Sequence, residues 1–214
     1  MTAGQARAVD ELGRFCLEPA TLDSLTKVLD LDATYGRPGP VGLEIGFGMG
    51  HALLDWAESA PDWNLLGLEI YQPGIGALLL GVERLGLENV RVMEAAAEVV
   101  LARQLPAGSL DEVRIFFPDP WPKKKHFKRR LIQSEFLSLV ADRLRPGGCL
   151  WLATDWAGYA EWMAERLAAE PMLEPESPEA WDSGAASARV QTRFEARGLR
   201  LGHAIHDFRY RRVR

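Results

Sequence analysis

The chain lacks the features that would place it in a membrane, among disulfide-bonded secreted proteins or among disordered ones. Its 214 residues include two cysteines, Cys16 and Cys149, which are far apart and form no CxxC pair. Neither a disulfide framework nor a thiolate zinc site is therefore indicated. No run approaches the roughly 18 apolar residues of a membrane span, and the N-terminus lacks the apolar segment of a secretion signal. We expect a soluble, cytoplasmic chain with one ordinary domain.

The charges are unevenly distributed along the chain. The formal net charge is −5, yet residues 123–130 (KKKHFKRR) carry six Lys and Arg and no acid, and residues 189–214 carry eight Arg against two acids. Two basic patches thus lie on an acidic remainder. This pattern is typical of a localised phosphate-binding face. A solvated charged surface explains a single lysine run equally well.

Short apolar runs alternate with helix-period segments from residue 41 onwards, which is the order expected of a parallel sheet flanked by helices. The predicted strands are 41–45, 65–70, 90–94, 112–117, 149–154 and a last one at 204–212. The predicted helices are 50–60, 73–86, 96–104, 129–144 and 156–169. Residues 1–40 are expected to be a helical lead-in, 146–148 a turn and 171–188 a mostly irregular connection. The fold class is therefore α/β, a Rossmann-like, doubly wound and mostly parallel sheet with an antiparallel C-terminal strand.

A glycine-rich turn follows the first predicted strand. In LEIGFGMG, Glu44 comes at the strand end, and Gly46, Gly48 and Gly50 lead into a helix, so backbone can approach a ligand closely. His51 stands where the dinucleotide fingerprint requires its third glycine. A carboxylate in the turn is also poorly placed beside a pyrophosphate. The turn therefore favours a cationic, phosphate-free ligand such as S-adenosylmethionine.

The next two strand ends suit the nucleoside part of that ligand. Glu69 ends the second predicted strand, where a carboxylate can accept hydrogen bonds from both ribose hydroxyls. After the third strand the sequence reads MEAAAEVV. Glu94, Glu98 or the backbone at Ala95 and Ala96 could hold the adenine there, and both acids could equally well face water.

The fourth predicted strand leads into IFFPDPWPKKKHFKRR. Three prolines fix the shape of this loop and enclose Asp119 and Trp121. Because ligands bind outside the carboxyl ends of parallel strands, Asp119 should face the same crevice as Glu44 and Glu69. The following lysines would bring a polyanion to the crevice, and Trp121 offers a ring on which a base could stack. Position and composition together predict a nucleic-acid substrate.

The chain resembles the bacterial tRNA (guanine-N7)-methyltransferase family. The segments that carry the resemblance lie between about residues 41 and 212, and they read LEIGFGMG, GLEIYQPGIGALL, FFPDPWPKKKHFKRR, ATDWAGYAEWM and TRFEARGLRLGH. The resemblance implies a methyltransferase domain over residues 41–214, S-adenosylmethionine as methyl donor, and transfer to N7 of a guanine in the tRNA variable loop, conventionally position 46. From the residues themselves we expect no metal, and the sequence leaves the oligomeric state open between monomer and homodimer.

Family roles carry over to the positions that match. The resemblance implies donor binding by Glu44, Gly46, Gly48, Glu69, Ala96 and Asp119, with Asp119 also the catalytic acid, and substrate contacts by Lys123, Asp155, Thr192, Arg193, Phe194 and Glu195. Two positions depart from the family pattern: Ala96 replaces a usual Asp, and Tyr71 stands where His is common.

The chemistry of the residues leaves several alternatives open. Asp119 could stabilise positive charge on the methylated base, or it could orient the guanine by accepting its N1 and N2 hydrogens. Asp155 could contact the guanine or cap the helix that begins near Trp156. The acceptor could be an exocyclic amine, or the chain could be an RNA-binding relative without a donor. His203 and His206 have no third partner in the pattern, so we expect no metal site.

Overall fold

The structure is a computed structural model that describes residues 1–18, 28–177, 181–182, 195 and 204–213. Its α-helices are α1 Ala3–Glu11, α2 Leu31–Tyr35, α3 His51–Ser59, α4 Gln72–Leu85, α5 Ala97–Arg103, α6 Ser134–Arg143 and α7 Ala157–Ala169, with 3-10 helices at Gly13–Phe15 and Lys124–Arg129. Its strands are β1 Cys16–Leu17, β2 Val41–Ile45, β3 Asn64–Glu69, β4 Val90–Glu94, β5 Leu110–Phe116, β6 Leu144–Thr154, β7 Leu173–Pro175, β8 Trp181–Asp182 and β9 His206–Arg212.

The described strands form one sheet in the order β1-β4-β3-β2-β5-β6-β9-β7, with β8 also paired to β9. Strands β1 to β6 pair in parallel, whereas β9 runs antiparallel to β6, β7 and β8. Along the chain, β2, β3 and β4 follow one another in one direction across the sheet, and β5 and β6 then lie on the other side of β2. The order of the strands therefore reverses between β2 and β5, which is where doubly wound sheets bind their ligands. This confirms the predicted fold class.

Alternating side chains along the strands build two cores. One face of the sheet presents Leu43, Ile45, Val113 and Ile115 to the side where α5, α6 and α7 pack. The other face, from β3 and β4, packs against α1, α3 and α4, with Trp56 at its centre. The sheet is thus covered on both faces, as parallel sheets require.

Helix α4 lies between α1 and the glycine-rich turn, and two of its glycines make the close packing possible. A Cβ atom on Gly76 would lie 2.7 Å from the carbonyl oxygen of Gln5 in α1, and one on Gly74 would lie 2.0 Å from the carbonyl oxygen of Gly48. The N-terminal segment is therefore joined to the sheet, where β1 also pairs with β4. The domain boundary at residue 40 stays a prediction.

Four predicted elements differ from the structure. The helix predicted at 129–144 begins only at Ser134, because the basic run before it forms a 3-10 helix whose like charges disfavour regular helix. Residues 146–148 belong to β6, where the pairing with β5 shifts register, instead of forming a separate turn. The connection predicted to be mostly irregular also contains the short strands β7 and β8, and the predicted helical lead-in contains β1. None of the described helices is long and apolar enough to span a membrane.

Candidate active site

A cleft of about 780 Å³ opens at the carboxyl ends of the parallel strands. Its walls come from the segments that follow β2, β3, β4 and β5. The structure brings together there the six residues for which donor binding was predicted: Glu44, Gly46, Gly48, Glu69, Ala96 and Asp119. These residues are spread over 76 positions of sequence, so the parallel sheet is what assembles them.

The glycine-rich turn forms the floor of the cleft with a backbone that other residues adopt rarely. Gly46 has φ 71° and Gly48 has φ 55°, both in the left-handed region that glycine enters without steric cost. The Gly46 amide donates to the carbonyl of Leu68, which fixes the turn to β3. A Cβ atom on Gly46 would meet no atom within 4 Å. The backbone of the turn is therefore open to a ligand on the cleft side.

Glu69 holds the neighbouring loop in place. Its Oε2 accepts a hydrogen bond from the Gly48 amide at 2.8 Å, and its Oε1 accepts from the amides of Ile70 and Tyr71 at 2.8 and 3.1 Å. Since each carboxylate oxygen has two lone pairs, only Oε2 retains one. To accept hydrogen bonds from both ribose hydroxyls, Glu69 would therefore have to lose one of the hydrogen bonds that its Oε1 accepts from backbone amides.

Glu44 is a buried acid without a full set of partners. Its side chain is 3% exposed, and its Oε2 makes no hydrogen bond. The nearby guanidinium of Arg114 pairs with Glu112 at 2.6 Å and stacks on Trp56 at 3.5 Å. Desolvation is the main cause that raises the pKa of Glu44; with the opposing effect of Arg114 and a smaller upward contribution from Glu69, the pKa is about 8. The site therefore offers a carboxyl group that a ligand cation would convert to carboxylate.

The wall after β4 consists of Ala95, Ala96, Ala97 and Glu98. Ala96 is the N-cap residue of α5 and has no side-chain capping bond. Of the two acids considered for adenine, Glu98 lines the cleft, whereas Glu94 accepts hydrogen bonds from the Gln72 side chain at 3.1 and 3.3 Å. The geometry favours Glu98 over Glu94.

The loop after β5 presents Asp119 to the opposite side of the cleft. Asp119 is exposed there, between two residues with left-handed backbone: Phe117 at φ 53° and Trp121 at φ 42°. Such conformations cost bulky residues about 1 kcal/mol or more, so the surroundings must impose them. The Phe117 amide donates to the Ala153 carbonyl at 2.8 Å, which anchors the loop to β6.

The C-terminal end of the basic run 123–130 lines the cleft, whereas the beginning of the run does not. Arg129 lines the cleft and lies over the Trp121 ring at 5.0 Å, while His126 meets the same ring edge-on at 5.7 Å. Lys123, the predicted substrate contact, is exposed just before the 3-10 helix and does not line the cleft.

The remaining predicted substrate residues lie elsewhere. Asp155 follows β6 and does not line the cleft, and the N-cap position of α7 belongs to Trp156, so Asp155 is not that helix's cap residue. Glu195 is buried at 9% exposure and does not line the cleft. Thr192, Arg193 and Phe194 lie outside the described residues.

Sequence reasoning missed several cleft residues, because only the fold brings them to this edge. They include Met49, His51, Tyr71, Phe117, Arg129 and Leu131. Arg129 was concealed within a run of similar charges, and no local pattern marked it out. Among the described residues, no group of three His, Cys, Asp or Glu side chains could hold a metal ion.

Known proteins match both the sequence and the fold. A family described as "Putative methyltransferase" matches residues 38–208. The tRNA (guanine-N(7)-)-methyltransferase of Halorhodospira halophila is 47% identical over 212 residues, covering 99% of this chain and 90% of its own, and that of Alkalilimnicola ehrlichii is 49% identical over 214 residues, covering 99% and 88%. The chain belongs to the tRNA (guanine-N(7)-)-methyltransferase family. The resemblance seen in the sequence motifs is thereby confirmed.

Solved structures show the same fold for this methyltransferase. A 16S rRNA (adenine(1408)-N(1))-methyltransferase from Catenulisporales acidiphilia, solved with S-adenosylmethionine, has a TM-score of 0.55 at 18% identity, covering 87% of this chain and 92% of its own. The 16S rRNA methyltransferase KamB has a TM-score of 0.56 at 16% identity, with coverages of 88% and 95%. At such identities the likeness concerns the fold alone.

The residues of the cleft fit S-adenosylmethionine. Glu44 leaves a buried carboxyl oxygen without a partner, which suits the ammonium group of an amino acid. Glu69 and the open face of the glycine turn suit the ribose, and the alanine wall with Glu98 suits a flat base. We expect these parts of the methyltransferase to hold the methyl donor.

Replacing Glu44 by Gln should separate stability from donor binding. A carboxyl whose folded pKa lies above its unfolded value makes the protein less stable as pH rises between the two values, here from about 4.5 to about 8. We expect the ligand-free wild type to lose stability relative to Glu44→Gln by up to about 1.4 kcal/mol per pH unit in that window. Chemical denaturation of both proteins at pH 5, 6, 7 and 8 measures the difference in the free energy of unfolding, and parallel profiles would contradict the prediction.

Glu44→Gln should also bind S-adenosylhomocysteine about ten- to a hundredfold more weakly than wild type.

Two matched substitutions test the adenine wall. We expect Glu98→Ala to weaken S-adenosylhomocysteine binding about tenfold, the value of one hydrogen bond to a charged group. Glu94→Ala removes the same charge four residues earlier, outside the cleft, and should change the affinity less than twofold. Calorimetric titration of both variants decides between them. If Glu98→Ala and Glu94→Ala bind S-adenosylhomocysteine with equal affinity, backbone alone holds the adenine.

Proposed function

We propose that this protein transfers the methyl group of S-adenosylmethionine to N7 of a guanine in tRNA, and that this guanine is the one at position 46 in the variable loop. The observation that carries the proposal is that Asp119, the glycine-rich turn and Arg129, near the end of the basic run, line one cleft. The names of relatives at 47% and 49% identity over 99% of this chain support the same acceptor atom. Such an enzyme would act in the cytoplasm, either as a monomer or as a homodimer.

The charge around the cleft supports a polyanionic substrate. Lys123, Lys124 and Lys125 are exposed beside the cleft on an otherwise acidic chain. Arg129 brings a cation into the cleft itself. Contacts of this kind position a nucleic-acid backbone without reading its sequence. The base to be methylated would then enter between Trp121 and Asp119.

The reaction needs no general base. When bound, S-adenosylmethionine supplies a methyl group on a positively charged sulfur. The in-plane lone pair of guanine N7 can take this methyl without losing a proton first, and the positive charge passes to the base. Asp119 lines the cleft, and we expect its carboxylate to stabilise that charge as it develops. The same carboxylate could accept the guanine N1 and N2 hydrogens and so orient the ring.

The product of the wild-type protein tests the proposal directly. Incubation of unmodified transcribed tRNA with methyl-labelled donor, followed by nuclease digestion, should give labelled 7-methylguanosine. Mapping by chemical cleavage at the modified base should locate it at position 46, and a transcript with guanine 46 replaced by adenine should accept no label. A different methylated nucleoside would overturn the acceptor. Failure to bind S-adenosylhomocysteine would favour an RNA-binding relative.

Substitution of Asp119 should reduce turnover far more than donor binding. We expect Asp119→Ala to lower kcat about a hundred- to a thousandfold, as removal of a preorganised electrostatic group does, while S-adenosylhomocysteine binds within threefold of wild type. Asp119→Asn keeps the shape and one acceptor oxygen but removes the charge. If the charge is what counts, Asn will be as slow as Ala, and if orientation suffices, Asn will restore much of the rate. Equal losses of rate and donor affinity in Asp119→Ala would show that the acid mainly builds the site.

A further inference from the structure

Arg130 ends the basic run, yet it does not share the exposure of the other cations. Its side chain is 3% exposed, whereas Lys123, Lys124, Lys125, Lys128 and Arg129 are exposed. A buried guanidinium cannot reach a phosphate in solution without leaving its site. Arg130 therefore has a different task from its neighbours.

The contacts of Arg130 join two loops at the carboxyl edge of the sheet. Its Nε donates to the Pro120 carbonyl at 2.8 Å, and its Nη1 donates to the Gly158 carbonyl at 3.3 Å. Pro120 lies between Asp119 and Trp121, and Gly158 lies in the first turn of α7. One side chain thus ties the loop of Asp119 to the start of α7.

Aromatic rings enclose the guanidinium. Its carbon lies 3.8 Å from the centre of the Phe127 ring and 4.9 Å from the centres of both the Tyr159 and Trp162 rings. Within the described part of the chain, carbonyl oxygens and aromatic faces meet its charge, and no carboxylate pairs with it. Such an enclosure selects the flat, delocalised guanidinium over the ammonium group of lysine.

The enclosure is itself fixed to the chain beside Arg130. Tyr159 is fully buried, and its hydroxyl accepts from the Ile132 amide at 3.2 Å, while the Trp162 indole donates to the Ile132 carbonyl at 2.7 Å. The Gln133 side chain donates to the carbonyls of Phe127 and Arg130. Arg130 therefore acts as part of a rigid unit that α7 supports.

We propose that Arg130 is a positioning residue: it holds the Asp119 loop in its catalytic geometry against the start of α7, and it makes no contact with RNA. The inference rests on the proposed function, because it presumes that Asp119 acts on the substrate. The left-handed backbone at Phe117 and Trp121 explains the need for it, since a loop in that conformation relaxes once its anchor is removed. A misplacement of about 1 Å in such a group can cost about a hundredfold in rate.

Two variants that each remove one positive charge test the assignment. Arg130→Gln should lower kcat at saturating tRNA at least thirtyfold, with S-adenosylhomocysteine affinity within twofold of wild type. The slope of log Kd for tRNA against log salt should stay at the wild-type value. Lys128→Gln, at an exposed position two residues earlier, should reduce that slope by about one. A reduced slope together with wild-type kcat in Arg130→Gln would show that Arg130 contacts phosphate and would overturn the proposal.

A second variant and a readout independent of catalysis complete the test. Arg130→Lys keeps the charge and much of the volume, so it should fold even if Arg130→Gln does not. It should remain at least tenfold slower than wild type, and wild-type kcat in this variant would also overturn the proposal. In hydrogen exchange of the ligand-free proteins, the amides of 117–125 should exchange faster in both Arg130 variants but not in Lys128→Gln. If wild type yields no 7-methylguanosine, the proposed function fails, while faster exchange at 117–125 still supports the anchoring role.

Discussion

A parallel β-strand has to return to its starting edge through a crossover, so β2 to β6 all end at one edge of the sheet. The reversal of strand order between β2 and β5 then leaves a gap between the crossovers. Glu44, Glu69 and Asp119 share a cleft for this reason alone, since nothing local in the sequence links them. The apolar side chains of the two cores hold the strands in this arrangement, and the loops at the edge are free to carry polar groups.

Glu44 and Arg130 are buried ionisable groups that form no ion pair within the described residues, and the protein meets the cost of their desolvation in different ways. Glu44 lies where desolvation raises its pKa to about 8, so it can remain neutral until a cation arrives. Arg130 cannot lose its proton at any ordinary pH, so its charge is met by carbonyl oxygens and aromatic faces. In our proposals, Glu44 prepares a binding site and Arg130 fixes a loop. Burial of either charged group would by itself destabilise the protein, and the packed structure around each group offsets that cost.

The sequence predicted most of the sheet, because strands buried on both faces give short, unmistakable apolar runs. The bounds of β2 and β4 agree with the predicted ones to the residue. The predicted and observed elements differ where tertiary contacts determine the local structure. The basic run forms a 3-10 helix that packs against Trp162 and Trp121. Strand β1 forms because it pairs with β4. The motifs named Glu44, Glu69 and Asp119, which the structure brings together at one cleft, but the roles of these residues stay predictions. The motifs could not reveal that Arg129 lines the cleft and Lys123 does not, since neighbouring cations look alike in a sequence.

Helix α4 lies close to backbone on both sides, at Gln5 of α1 through Gly76 and at Gly48 of the glycine-rich turn through Gly74. A larger side chain at Gly76 would push α4 away from α1, and one at Gly74 would push it away from the glycine-rich turn. The spacing between the N-terminal helix, α4 and the cleft is therefore set by two positions that carry no side chain.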